Sequence, residues 1–200
     1  MEQLSSLSEL VVRQRKEWGE ILSGFETRNK YQVSDAFGNN LYVAVEEPGS
    51  TMIRWFLKAL RPFTITVFTE NHQVVLQVIR PFRFYFHRAD IFDSAGRTLG
   101  AIERQFSLLN RIYSIRGPYG KEEFQLFGPL MHPWTFSIQK EGISYGTITK
   151  KWTGFLKEGF TDADNFGITF PVEWDVQRKA VFLGILFLID FVHFENKGGR

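Results

Sequence analysis

Two hundred residues suffice for one domain with a substantial core and are too few for two large ones. A net charge of +2 gives no global basic field, so nucleic acid is not an expected partner, and any preference for anions must come from local patches. The absence of cysteine excludes disulfides, thiolate metal sites and a cysteine nucleophile and suits a reducing cytosol, while 21 Phe and 5 Trp favour strands around a large interior.

The N-terminus, MEQLSSLSELVVRQRK, lacks a basic-then-apolar signal pattern, and Glu2 stands where myristoylation needs glycine. These features predict a protein made and kept in the cytosol. Residues 1–9 read as a short polar lead and 10–197 as a single domain, since no linker or low-complexity tract divides the chain.

Residues 10–16 read as a first strand, and 17–22 fit either strand or helix. Residues 30–34 and 41–46 flank the turn cluster DAFGNN as a hairpin, with Leu41, Val43 and Val45 on one face and Tyr42 and Glu46 on the other. EPGS (47–50) is a loop, and 52–60 reads as a short helix carrying Arg54, Trp55 and Lys58. A second hairpin follows: Phe63, Ile65 and Val67 alternate with threonines, ENH turns, and Val74, Leu76 and Val78 return. Phe82, Phe84 and Phe86 then share one face while Arg83, Tyr85 and His87 share the other, the pattern of a half-buried strand.

The turn DSAGR leads into 98–104, residues 112–116 meet 123–127 across GPYG, and 134–139 meet 143–149 across KEG. SAGRTLGAIER (94–104) and KEGISYGTITK (140–150) resemble each other. In each, a Gly-containing turn precedes a second glycine four residues on, which suggests repeated hairpins and an ancient duplication.

The last segment, AVFLGILFLIDFVHF (180–194), is apolar on every side of a helix, so either lipid or protein must sheath it. Its fifteen residues span about 22 Å, short of the roughly 30 Å of a hydrocarbon core. Arg178 and Lys179 at one end and Asp190 near the other shorten the usable span, so a helix wrapped by protein is the better reading. Phe182, Leu183, Gly184, Leu186 and Phe187 would form its buried surface, with Gly184 admitting a close approach of the surrounding wall. Asp190 then needs a hydrogen-bond donor or a position near an opening. About ten to twelve short strands imply a sandwich or barrel, and the enclosed helix favours the barrel.

The blocks GFETRNKYQV (24–33), LYVAVEE (41–47), RPFTITV (61–67), KKWTGFLKEGFTDADNFGITFP (150–171) and RKAVFLGILFLIDFVHFE (178–195) resemble the phospholipid scramblase family, in family order and over nearly the whole chain. The resemblance implies a mainly β, tubby-like fold: a closed antiparallel barrel of about twelve strands around a buried C-terminal hydrophobic helix. It also implies calcium-stimulated, ATP-independent movement of phospholipid between leaflets. Eukaryotic members carry a Pro-rich extension and a palmitoylated cysteine cluster that this sequence does not have.

The resemblance places a calcium loop at Asp162, Asp164 and Glu173 with a backbone carbonyl near Ile168. Its outline is that of an EF-hand loop, with carboxylates at positions one, three and twelve and glycine at six. Phe166 and Phe170 occupy two positions where a ligand is needed, so calcium affinity is expected to be weak, on the order of 10⁻⁴–10⁻³ M. The same segment also reads as a turn leading into a core strand.

Basic residues cluster at Arg54, Lys58 and Arg61, at Arg80, Arg83 and Arg88, and at Lys150, Lys151 and Lys157, with Trp55 and Trp152 beside them. This suits an anionic phospholipid membrane, although solvated strand faces read the same way. Tubby-like relatives bind phosphoinositides, which points in the same direction by resemblance. Catalytic motifs are absent: the four histidines are scattered and no phosphate loop or G-x-S-x-G elbow occurs. The sequence thus supports a non-enzymatic scramblase-family barrel, peripheral at the inner face of the plasma membrane. The alternative is a soluble lipid- or phosphoinositide-binding adaptor barrel that does not move lipid.

Overall fold

The computed structural model describes residues 1–15, 29–47, 61–83, 86–150 and 165–194. The expectations for 17–22 and 52–60, and those for Phe84, Tyr85, Lys151, Trp152, Lys157, Asp162 and Asp164, fall outside these residues.

Twelve strands lie among the described residues: β1 (Glu9–Arg15), β2 (Lys30–Ser34), β3 (Asn40–Glu46), β4 (Phe63–Phe68), β5 (Val74–Arg80), β6 (Arg88–Asp93), β7 (Thr98–Arg104), β8 (Asn110–Arg116), β9 (Glu122–Pro129), β10 (Thr135–Lys140), β11 (Ile143–Lys150) and β12 (Asn165–Thr169). Each pairs antiparallel with its neighbour in sequence, and β12 closes onto β1 through Leu10↔Ile168 and Val12↔Phe166, giving a closed barrel. Closure removes the edge strands, which would otherwise expose unpaired backbone donors and acceptors.

The inner wall follows period two. Leu10 and Val12, Phe63, Ile65 and Val67, Leu76 and Val78, and Phe136 and Ile138 all join one core cluster. The face assignment for β3 needs correction: Tyr42 and Ala44 join the core and Val45 does not, so Tyr42, Ala44 and Glu46 face inward. A register shift at Val33/Ser34 separates the turn-proximal Leu41 from the simple alternation. The repeated glycines have a spatial reason. A Cβ on Gly100 would lie 2.7 Å from the Arg116 carbonyl oxygen, and one on Gly146 would strike the Thr169 carbonyl, so neighbouring backbone leans in at both positions.

Helix α1 (Val176–His193) fills the barrel, and every residue from Lys179 to Phe191 is buried. Phe182, Leu183, Gly184, Leu186, Phe187 and Asp190 all lie in that buried stretch. Asp175 caps its start, its side chain accepting the Arg178 backbone N–H at 2.8 Å. A Cβ on Gly184 would fall 2.9 Å from Ile91 Cγ1 and 3.1 Å from Val78 Cγ2, so β5 and β6 approach closest there. No helix among the described residues is long and apolar enough to cross a membrane.

Residues 1–9 are more than a polar lead. A 3₁₀ turn at Glu2–Leu4 carries Leu4 into the core, 1% exposed. Buried Lys179 donates to the carbonyls of Leu4 (3.1 Å), Ser5 (2.8 Å) and Val172 (2.8 Å), tying the N-terminus to the start of α1. Burial pulls the Lys179 pKa down, against the opposing pull of Glu173 and Asp175. The rim where α1 begins is therefore closed by the chain's own start; we call it the lower rim, and the one where α1 ends the upper rim.

The predicted strand at 82–87 is also corrected. Phe82 and Phe86 are 40% and 48% exposed, Phe86 has φ of 46°, and β6 begins only at Arg88. Register explains this. Ile91 opposes Val78 across the β5–β6 pair, so the residues before Arg88 form the connection over the rim.

Candidate functional site

The inner faces of several strands change character at the upper rim. The row Leu76, Val78 continues into Arg80, Ile148 is followed two residues on by Lys150, and Ile115 and Tyr113 are preceded by Arg111. All three cations are buried. Period two, which puts apolar side chains inside, thus carries these charges inside as well.

They surround the end of α1. The Tyr31 hydroxyl donates to Asp190 Oδ2 at 2.8 Å, and Lys150 Nζ lies 3.9 Å from Oδ1. Asp190 therefore has both the wall donor and the near-rim position that its burial demands. Lys150 also lies over the rings of Phe194 and Phe166, at 4.8 and 5.2 Å. Arg61, ion-paired with Glu46, sits 4.3 Å from the centre of the Phe191 ring, and Arg80 sits 4.8 Å from the same ring. Arg111 lies 4.3 Å over Phe136 and donates to the carbonyls of Pro133 (2.8 Å), Pro129 (3.1 Å) and His132 (3.1 Å). Aromatic faces and carbonyls offset part of the cost of removing such cations from water.

This concentration of charge acts on neighbouring groups. Arg80 donates to His87 Nδ1 at 2.7 Å, leaving that nitrogen unprotonated. Burial first, then Arg80 and Arg104, push the His87 pKa down to about 4. The Tyr113 hydroxyl bonds His193 Nε2 at 2.7 Å, which makes His193 a hydrogen-bonded residue beneath the rim, as its place in the apolar helix predicts. Burial raises the Tyr113 pKa well above its ordinary value.

The expected anion-binding residues therefore separate. Arg80 and Lys150 are interior side chains rather than outward-facing cations. Arg83 is exposed, with Glu103 4.0 Å away, and half-exposed Arg88 is held by Asp90 at 2.6 Å. Of the expected metal ligands, Ile168 and Glu173 lie among the described residues. Ile168 is buried mid-strand, its backbone between Leu10 of β1 and Ile148 of β11. Strand β12 runs from Asn165 at the upper rim to Thr169 at the lower, and Glu173 lies beyond it, beside Lys179. A twelve-residue loop closed by Glu173 does not fit an intact strand in its middle.

Sequence reasoning missed Tyr31, Tyr113 and Arg111 as members of the rim layer, and it read Arg61 as a membrane-facing cation where the structure buries it against Glu46. The available signal was alternation: each stands two residues from an inward apolar or aromatic neighbour on its strand, or directly before one.

A closed twelve-stranded antiparallel barrel filled by its own C-terminal helix is a tubby-like barrel. An X-ray structure of an Arabidopsis thaliana protein shares this fold at TM-score 0.51 and 10% identity, covering 95% of this chain and 96% of that one. The Scramblase family model matches residues 1–196. The chain is 33% identical to phospholipid scramblase 1 of Homo sapiens, over all of this chain and 67% of that protein. It is 32% identical to phospholipid scramblase 2 of Bos taurus, over all of this chain and 73% of that protein. The chain belongs to the phospholipid scramblase family. It spans about two thirds of the length of the relatives it matches.

Proposed function

We propose that this protein binds anionic phospholipid membranes reversibly, as a peripheral barrel at a cytoplasmic membrane face, and performs no hydrolysis. Membership of the scramblase family carries this reading. The relatives' names give phospholipid movement as their activity, and the proposal transfers the lipid partner to this chain.

For movement of lipid between leaflets, one observation favours a slower, second role. Helix α1 is the barrel core, and its burial from Lys179 to Phe191 leaves it no surface for lipid while the barrel is folded. Withdrawing it would expose most of the core, at a cost of roughly 25 cal/mol for each Å² of apolar surface. A lipid-binding adaptor that moves lipid slowly or not at all is therefore the second reading. Calcium enters as a weak ligand of Asp162 and Asp164 without Glu173, and lipid binding is proposed to need no calcium.

Co-sedimentation with phosphatidylserine vesicles, with and without calcium, tests the proposal. Binding should weaken with salt, because the Debye length falls from about 10 Å at 0.1 M to about 3 Å at 1 M. Equal binding to neutral vesicles, or none to either, would overturn it. Rapid calcium-dependent exposure of labelled lipid, lost in Asp162→Ala, would instead establish scrambling as the activity.

A further inference from the structure

Among the described residues, the connections at the two rims differ in chemistry. Three successive connections leave the upper rim, at 81–87 between β5 and β6, 105–109 between β7 and β8, and 130–134 between β9 and β10. Their sequences, PFRFYFH, QFSLL and LMHPW, contain no carboxylate. Large apolar side chains stand out from them: Phe106, Leu108, Leu109, Leu130 and Met131 are 57–88% exposed, and Phe86 is half exposed. The strand ends beneath carry Arg80, Arg88, Arg104 and Arg111, and Arg83 is exposed within the first connection. Their field is felt locally, since Arg80 and Arg104 help hold His87 neutral. At the lower rim the connections and strand ends carry Asp35, Glu70, Asp93, Glu141, Glu173 and Asp175, interspersed with Arg97, Lys121, Lys140 and Arg178. Exposed Phe37 and Val172 there stand within two residues of an acid.

We infer that the upper rim is the membrane-docking face: the 105–109 and 130–134 connections, with Phe86, insert their apolar side chains among the lipids, with exposed Arg83 beside them to meet anionic headgroups. This inference rests on the membrane-binding reading above and adds the orientation of the barrel. A contiguous set of exposed apolar side chains marks an interaction surface in a folded protein. Two features select a bilayer as its occupant. The side chains stand exposed on separate turns. Among the described residues just behind them cations outnumber carboxylates, since Arg83 and Arg88 have Glu103 and Asp90 nearby while Arg80, Arg104 and Arg111 add further positive charge. This matches the order of acyl chain and anionic headgroup met on entering a leaflet. The lower rim, where acids and cations alternate, offers no such match.

The sequence has no cysteine, so single cysteines can be introduced cleanly. An environment-sensitive dye is attached at Leu108→Cys and Met131→Cys on the upper rim, and at Phe37→Cys and Tyr119→Cys on the lower. Each protein is mixed with phosphatidylcholine vesicles with or without phosphatidylserine. Dye emission should shift to the blue at Leu108 and Met131 only, and only with phosphatidylserine. Leu108→Asp combined with Leu109→Asp should lower vesicle partitioning by about tenfold or more, with the thermal midpoint unchanged because both side chains are exposed. Binding accompanied by a response at Phe37 or Tyr119 instead would overturn the orientation while leaving membrane binding standing. A blue shift without vesicles, together with a doubled mass in light scattering, would assign the rim to a second copy of this chain and overturn the inference. No vesicle binding by any of the proteins would overturn the membrane reading and the docking face with it.

Discussion

Gly184→Ala separates a helix enclosed by a barrel from one bathed in lipid or water. On an exposed helix the added methyl should stabilise by about 1 kcal/mol, the propensity difference between the two residues. In this barrel the new Cβ would lie 2.9 and 3.3 Å from Ile91 Cγ1 and Cγ2 and 3.1 Å from Val78 Cγ2. Both contacts sit on strands paired on each side within a closed sheet, so the wall cannot retreat locally. Overpacking of this kind costs about 1–3 kcal/mol. Set against the propensity gain, Gly184→Ala should destabilise by up to about 2 kcal/mol, and Gly184→Leu by more than about 3 kcal/mol. Urea unfolding followed by tryptophan fluorescence reads both as a lower midpoint at constant slope. Ile91→Ala removes two of the three struck atoms, so its own cost should be smaller in the Gly184→Ala background by about 1 kcal/mol of coupling. A gain of about 1 kcal/mol for Gly184→Ala, with Gly184→Leu tolerated, would refute the enclosed helix.

Asp190→Ala removes the acceptor of Tyr31 and the carboxylate beside buried Lys150 and should cost about 3–5 kcal/mol in the same unfolding assay. Asp190→Asn keeps an acceptor for Tyr31 and should cost clearly less, so equal losses would show that the hydrogen bond carries no weight. Acid should also weaken the fold through His87. The unfolded chain takes up this proton near pH 6.5 and the folded one only near pH 4, so between those values the unfolded state holds more protons and stability falls as pH falls. Allowing for solvent screening at a half-buried site, the loss by pH 4 is about 1–2 kcal/mol. His87→Gln should remove that part of the difference between urea midpoints at neutral and acid pH, and an unchanged difference would reject His87 as the group.

Local chemistry made much of the barrel legible in the sequence. The hairpins around Gly96 and Gly142 are there because glycine takes the positive φ, 75° and 79°, that those turns require. An apolar run too short for a bilayer and apolar on all sides has few destinations besides the interior of a closed sheet. Side-chain direction was less accessible wherever pattern and chemistry disagreed. Arg80 and Lys150 continue inward-facing rows, yet a charge alone argues for solvent. Only contacts with Phe191, Phe194, Phe166 and Asp190, distant in sequence, make the interior tolerable. The aromatic alternation at 82–87 failed for the converse reason. Its period was right for a strand, but the pairing of Ile91 with Val78 had already fixed where β6 begins. Tyr31 reaches Asp190 across 159 residues. Local composition determines which segments become strands or helix, because turns and hydrophobic periods act over a few residues. Which charges are safe to bury depends on partners that only closure of the barrel brings together.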